Sequence, residues 1–122
     1  MSNYEFAFKK EYPFDKRTTE AQRIKSKYPD RIPVICEKAP RSTLPDIDKK
    51  KYLVPNDLSV SQFMYIIRKR IKLPKEKSLM IFVNGNELIK GETLMNDAYQ
   101  KYRDEDGFLY VVYADLNVLG AQ

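Results

Sequence analysis

The chain has 122 residues, with 22 Lys/Arg against 17 Asp/Glu and a formal net charge of +5, a length that suits one domain around one core. It contains no His and one Cys, Cys36. That composition excludes an intramolecular disulfide, a zinc site of the usual Cys/His type and a His-activated thiol, so an enzyme is disfavoured and no cofactor or metal is implied.

Charge is unevenly placed. Residues 1–72 hold 17 Lys/Arg against nine Asp/Glu, a net of +8, and residues 73–122 hold five against eight, a net of −3. A basic half attracts nucleic acid, acidic peptides or anionic lipid, or is simply a solvated face. The lone thiol suits a reducing cytosol. The start, Met1-Ser2-Asn3-Tyr4, has no apolar h-region and no Gly after Met for myristoylation. No apolar run approaches the roughly 18 residues a membrane span needs.

Taken in order, Tyr4, Phe6 and Phe8 and then Tyr12-Pro13-Phe14 suggest an anchoring segment or small helix. Thr19-Glu20-Ala21-Gln22 reads as a capping box, opening a helix with a thin apolar stripe of Ala21, Ile24 and Tyr28 that Pro29 ends. So narrow a stripe must lean on something else. Ile32, Val34 and Cys36 alternate with Pro33, Ile35 and Glu37, a strand that puts Cys36 on an apolar face as a small buried hydrophobe. A polar connection with Pro40 and Pro45 leads to a second short strand, Lys51–Pro55, whose proline suits a sheet edge.

The clearest helix is 60–72. Ser59 and Gln62 form a capping box, Val60, Phe63, Met64, Ile67 and Ile71 fall on one face, and Pro74 stops it. Leu79–Val83 is a nearly continuous apolar strand, predicted to be central. Asn84-Gly85 signals a hairpin to Glu87–Ile89. Thr93 is placed to cap a last helix with Met95, Ala98, Tyr99 and Tyr102 on one face. Asp104-Glu105-Asp106 reads as a solvated turn into a final strand, Phe108–Ala114. Residues 116–122 read as a flexible tail.

From residue 31 this order is β-β-α-β-(β)-α-β. It predicts an α+β ubiquitin-like β-grasp: a four-stranded mixed sheet with a crossover helix, spanning 29–115. One helix covers one face of that sheet. Residues 1–28, as two N-terminal helices packed on the domain, are the available cover for the other.

At this point the residues resemble a known family. Lys27-Tyr28-Pro29-Asp30-Arg31-Ile32-Pro33-Val34-Ile35-Cys36-Glu37-Lys38 is similar to the autophagy ubiquitin-like modifiers, the family of GABARAP and the microtubule-associated light chains. So are Asp48-Lys49-Lys50-Lys51-Tyr52-Leu53-Val54-Pro55, Arg68-Lys69-Arg70, Tyr99-Gln100, Glu105-Asp106-Gly107-Phe108-Leu109-Tyr110 and the near-terminal Gly120. The chain departs from the family in carrying Leu119, where an aromatic residue usually precedes the terminal Gly.

The resemblance implies cleavage after Gly120 by a cysteine protease. Activating and conjugating enzymes then pass the chain along a thioester relay to phosphatidylethanolamine. A cytoplasmic protein thus becomes associated with autophagosomal membrane. It also implies a groove for short aromatic-x-x-aliphatic motifs of cargo receptors and autophagy factors. An aromatic pocket would comprise Glu20, Ile24, Pro33, Ile35, Lys51, Leu53 and Phe108. An aliphatic pocket would comprise Tyr52, Val54, Pro55, Leu58, Phe63, Ile66 and Arg70. Acidic flanks would meet Arg31, Lys49 and Lys51.

Read from the residues alone, Lys51–Val54 is an edge strand that either accepts an extended peptide or is an ordinary edge guarded by lysines. The basic set Arg31, Lys49, Lys50, Lys51, Arg68 and Arg70 is better suited to acidic peptide flanks than to nucleic acid. Phe63 and Tyr65 lie on a helix whose pattern reads as packing rather than as stacking platforms. A non-conjugated β-grasp interaction domain or a cytoskeleton-binding module is the alternative.

Overall fold

Alternating apolar residues on both faces of a strand require cover on both faces, and that requirement organises this molecule. The computed structural model describes residues 4–84 and 86–116. The elements are α1 (Ala7–Glu11), α2 (Phe14–Lys27), β1 (Arg31–Lys38), β2 (Lys51–Pro55), α3 (Val60–Arg70), β3 (Met80–Val83), β4 (Glu87–Leu88), α4 (Met95–Tyr102) and β5 (Leu109–Ala114). The sheet order is β2-β1-β5-β3-β4, with β1 and β5 parallel and the other pairs antiparallel.

Among the described residues the sheet has five strands, one more than the four expected, because Glu87–Leu88 pairs antiparallel with Phe82 and Val83. The middle strand is β5, not β3 as the apolar run suggested. All six of its residues are buried.

Against one face of the sheet, α3 buries Val60, Phe63 and Ile67 in a cluster with Ile32, Val34, Cys36, Tyr52 and Val54. Its N-terminus is the expected capping box: Ser59 Oγ accepts from Gln62 N at 3.1 Å, and Gln62 Oε1 accepts from Ser59 N at 2.8 Å. The helix ends earlier than expected. Lys72 takes φ 55° and Leu73 N donates to Arg68 O at 2.9 Å, a left-handed termination completed before Pro74.

On the other face, Ala21 and Ile24 of α2 cluster with Ile35, Phe108 and Tyr110, and Phe6, Phe8 and Leu53 pack against them. The helix begins at Phe14 behind Pro13, so Thr19 lies in its interior. A capping box there has no orphan N–H groups to satisfy. Tyr28 is 39% exposed and outside the stripe, and the third buried α2 residue is Arg17.

The start of α4 also differs. Its N-cap is Leu94, with no side-chain cap. Met95 N donates to Leu58 O at 2.7 Å and Asn96 N to Asn56 O at 3.3 Å. The loop before α3 therefore supplies the acceptors expected from Thr93.

The acidic turn is not a solvated one. Asp106 is 1% exposed. It pairs with Arg17 Nε at 2.8 Å and accepts from Tyr110 Oη at 2.5 Å and Phe108 N at 2.9 Å. Asp104 pairs with Lys9 Nζ at 2.6 Å. Cys36 is fully buried, and burial pushes its thiol pKa up. Asp115 is buried too, with its carboxylate bonded by the Thr43 hydroxyl, and Leu116 N reaches Ser78 Oγ at 3.3 Å. These two residues are thus tied to the fold rather than running free. Most of the expected tail, with Leu119 and Gly120, lies outside the described residues, and no helix among those described is long and apolar enough to cross a membrane.

Candidate peptide-binding groove

One edge of the sheet is β2, which pairs only with β1 among the described residues; the other is the two-residue β4. Cys36 N donates to Lys50 O at 2.8 Å, so Lys50 faces β1. Antiparallel alternation then turns the backbone N–H and C=O of Lys51 and Leu53 outward. Pro33, which has no N–H, sits opposite Leu53, between the ladder bonds. The Leu53 carbonyl accepts from Arg31 Nη1 at 3.2 Å. These outward groups can receive the backbone of an added strand, in exchange for that side-chain bond.

Register sorts the side chains of β2. Lys51 opposite Ile35 and Leu53 opposite Pro33 lie towards α2, while Tyr52 opposite Val34 and Val54 opposite Ile32 lie towards α3. The two expected pockets therefore fall on opposite faces of one strand edge. On the α2 side, Ile24, Ile35 and Phe108 are buried together with Leu53 half-buried against them, and Lys51 Nζ meets Glu20 Oε2 at 2.8 Å. On the α3 side, Tyr52, Val54 and Phe63 are buried in the main core, and Leu58 and Ile66 are partly buried against it. Tyr52 meets Phe63 edge-on at 5.7 Å and donates to Lys49 O at 2.7 Å. Arg70 Nε pairs with Asp48 at 2.8 Å, and Pro55 is exposed at the strand end.

Tyr52 is thus a core residue, only 5% exposed. Its truncation would disturb the fold, not the groove alone. The surfaces a ligand can reach are Leu53, Leu58, Ile66 and the charged rim. On α3, Phe63 is buried as expected but Tyr65 is 59% exposed, with Lys69 Nζ 5.2 Å from its ring centroid.

The rim is polarised. Glu20 accepts from Arg23 and Lys51, and these bonds hold its pKa at about 2, below its ordinary 4.5. A depressed carboxylate contributes stability above its unfolded value, and that contribution is lost as pH falls from about 4.5 through about 2. A carbon-detected NMR titration of the Glu20 carboxyl is expected to give a midpoint near 2, raised by Lys51→Ala. A midpoint at the ordinary value in the wild type would count against the pair.

Residues that sequence reading missed adjoin this rim. A cleft of about 620 Å³ is lined by Phe8, Tyr12, Lys16, Glu20 and the Lys49–Lys51 run. The Tyr4/Phe6/Phe8 alternation was the available signal, but nothing local said which strand those rings would meet. A second cleft of about 620 Å³, between α1 and β3, holds none of the expected site residues.

A mixed sheet crossed by one helix, with two further helices on its back face, defines a ubiquitin-like β-grasp protein. Residues 16–120 match the family model described as "Autophagy protein Atg8 ubiquitin like". The chain is 60% identical over 114 residues to autophagy-related protein 8 of Mycosarcoma maydis, covering 93% of this chain and 96% of that one. It is 57% identical over 115 residues to the Vanderwaltozyma polyspora protein of the same name, covering 94% and 97%. The crystal structure of Trypanosoma brucei ATG8 superposes with a TM-score of 0.87 at 38% identity, covering 92% of this chain and 96% of that one. The chain belongs to the Atg8 family of ubiquitin-like autophagy proteins, which are modifiers and scaffolds, not enzymes.

Proposed function

We propose that this chain is cleaved after Gly120 and conjugated to phosphatidylethanolamine, and that on the membrane it recruits cargo receptors and autophagy factors through the β2 edge. A cysteine protease hydrolyses the Gly120–Ala121 bond. The freed carboxylate attacks a nucleoside triphosphate held by the activating enzyme, releasing pyrophosphate, and an enzyme thiolate then displaces the nucleoside monophosphate to form a thioester. The lipid amine then displaces the thiol and forms an amide, moving the chain from the cytoplasm to autophagosomal membrane.

The observation that supports the recruiting role is the β2 edge itself. Its outward backbone groups at Lys51 and Leu53 are flanked by one apolar set towards α2 and another towards α3. An extended peptide places alternate side chains on opposite faces. An aromatic residue, two spacers and a Leu, Ile or Val therefore match the two sets. Lys49, Lys51 and Arg31 complement acidic residues before the aromatic anchor.

Each anchor contributes about 1.5–3 kcal/mol on burial. With the backbone hydrogen bonds of the added strand and the charged rim contributing as well, and ordering costs subtracted, affinity near the micromolar range is expected. Leu53→Ala is expected to weaken such a peptide about tenfold by calorimetry. Lys51→Glu is expected to lower affinity and flatten its salt dependence. Unchanged affinity in Leu53→Ala would refute the groove, and an unaltered salt slope in Lys51→Glu would remove the charge role.

A further inference from the structure

We infer that Phe8 on α1 limits the size of the aromatic anchor that the groove accepts, and that Glu37 is the positioning residue that holds Phe8 in place. This rests on the peptide-groove reading above. On β1, Pro33, Ile35 and Glu37 share one face by alternation. The first two belong to the aromatic-pocket set. The third is a carboxylate, 3% exposed.

A carboxylate buried on a sheet must be hydrogen-bonded to be tolerated. Three of the bonds to Glu37 come from the α1 segment. Tyr4 Oη donates to Oε1 at 2.5 Å, Ala7 N donates to Oε1 at 2.9 Å, and Phe8 N donates to Oε2 at 3.0 Å. Lys50 Nζ stands 3.7 Å from Oε2. The five-residue α1 has no side-chain cap of its own, and so short a helix is unstable in isolation. Glu37 supplies from the sheet the acceptors that its first amides lack. Because one of those amides belongs to Phe8, the same contact fixes the position of the Phe8 side chain.

That side chain adjoins the pocket. The Phe8 ring meets Phe108 edge-on, with centroids 5.2 Å apart and planes at 72°. Phe108 is fully buried beneath the groove. Phe8 also lines the cleft that passes Glu20 and Lys51. It is therefore a wall between the apolar floor and the charged rim. A rigid aromatic wall at this point restricts a two-ring indole more than a one-ring phenyl group.

The test uses the full chain and two acidic-flanked peptides that differ only in a Trp or Phe anchor, titrated by calorimetry. Phe8→Ala and the milder Phe8→Leu are expected to shift the Trp-to-Phe affinity ratio at least fivefold towards Trp. The cost of replacing the peptide's aliphatic anchor with Ala is expected to stay within twofold of wild type. Glu37→Ala is expected to shift the ratio in the same direction, and Glu37→Gln, which keeps an oxygen acceptor, to restore at least half of that shift. General destabilisation would weaken both peptides alike and leave the ratio unmoved. A ratio within twofold of wild type in both Phe8 variants overturns the wall. A shift in those variants but not in Glu37→Ala overturns the positioning role. If wild type binds neither peptide, the groove reading itself fails.

Discussion

If the conjugation proposal holds, wild type is expected to accumulate in the membrane fraction of starved cells and Gly120→Ala to stay unprocessed and absent from it. Glycine has no side chain, so a catalytic thiol can approach its carbonyl and later enzymes can pass its carboxylate between them without steric obstruction. A single methyl group at the acyl carbon's neighbour interferes at each of these transfers. The lipid to be gained carries two acyl chains, each buried CH₂ adding about 0.8 kcal/mol, enough for stable anchoring where one myristoyl chain is marginal. Deleting Ala121 and Gln122 is expected to bypass the protease and still permit lipidation. Intact mass separates these cases: wild type is expected to lose two residues and gain a lipid, the truncation to gain the lipid alone, and Gly120→Ala to do neither. Equal membrane association of Gly120→Ala and wild type would defeat the conjugation proposal.

Asp106→Ala is expected to destabilise the fold by about 3–5 kcal/mol in urea unfolding, because it breaks a buried ion pair from one side. Arg17 Nε lies 2.8 Å from Asp106 Oδ2, and the two side chains are 10% and 0% exposed. Arg17 also donates to Tyr12 O at 2.7 Å, so the pair ties the α1–α2 corner to the turn before β5. Without Asp106, a buried guanidinium loses its counter-charge, and Tyr110 Oη and Phe108 N lose their acceptor. The next residue compounds the constraint. Gly107 has φ +97°, and a Cβ there would stand 2.9 Å from Ala21 Cβ. Arg17→Met combined with Asp106→Leu is expected to cost less than Asp106→Ala alone, since no unpaired charge then remains. A single-variant loss below about 1 kcal/mol would mean that the pair is solvated, as the acidic turn first suggested.

The candidate groove was legible only in part. The edge strand could be read from Lys51–Pro55, because a proline-ended run guarded by lysines is edge chemistry. The likeness of Asp48–Pro55 to the autophagy modifiers assigned the two pocket sets, and register then put them on opposite faces of β2. The depth of each residue was not legible. Tyr52 reads as a groove residue in sequence yet is buried in the main core, because the strand beside it and the helix above it enclose the ring. Leu53, one residue on, remains half-buried for the opposite reason: β2 has no outer neighbour among the described residues.

By itself the sequence determined whatever rests on neighbours a few residues apart. The Ser59/Gln62 cap, the apolar face of α3 and the pairing of β3 with β4 each arise from residues close in sequence, and each is where the residues said. Tertiary structure alone decided the partners of the polar groups in the second layer. Glu37 bonds Ala7 from 30 positions away, Arg17 meets Asp106 across 89 and Lys9 meets Asp104 across 95. A carboxylate or guanidinium looks solvated in any local window, since its burial is tolerable only once a distant partner is brought within about 3 Å. The same holds for α4, whose first amides are satisfied by the Leu58 and Asn56 carbonyls rather than by Thr93. Local chemistry specifies that a helix needs acceptors at its start; only the packed chain specifies which atoms provide them.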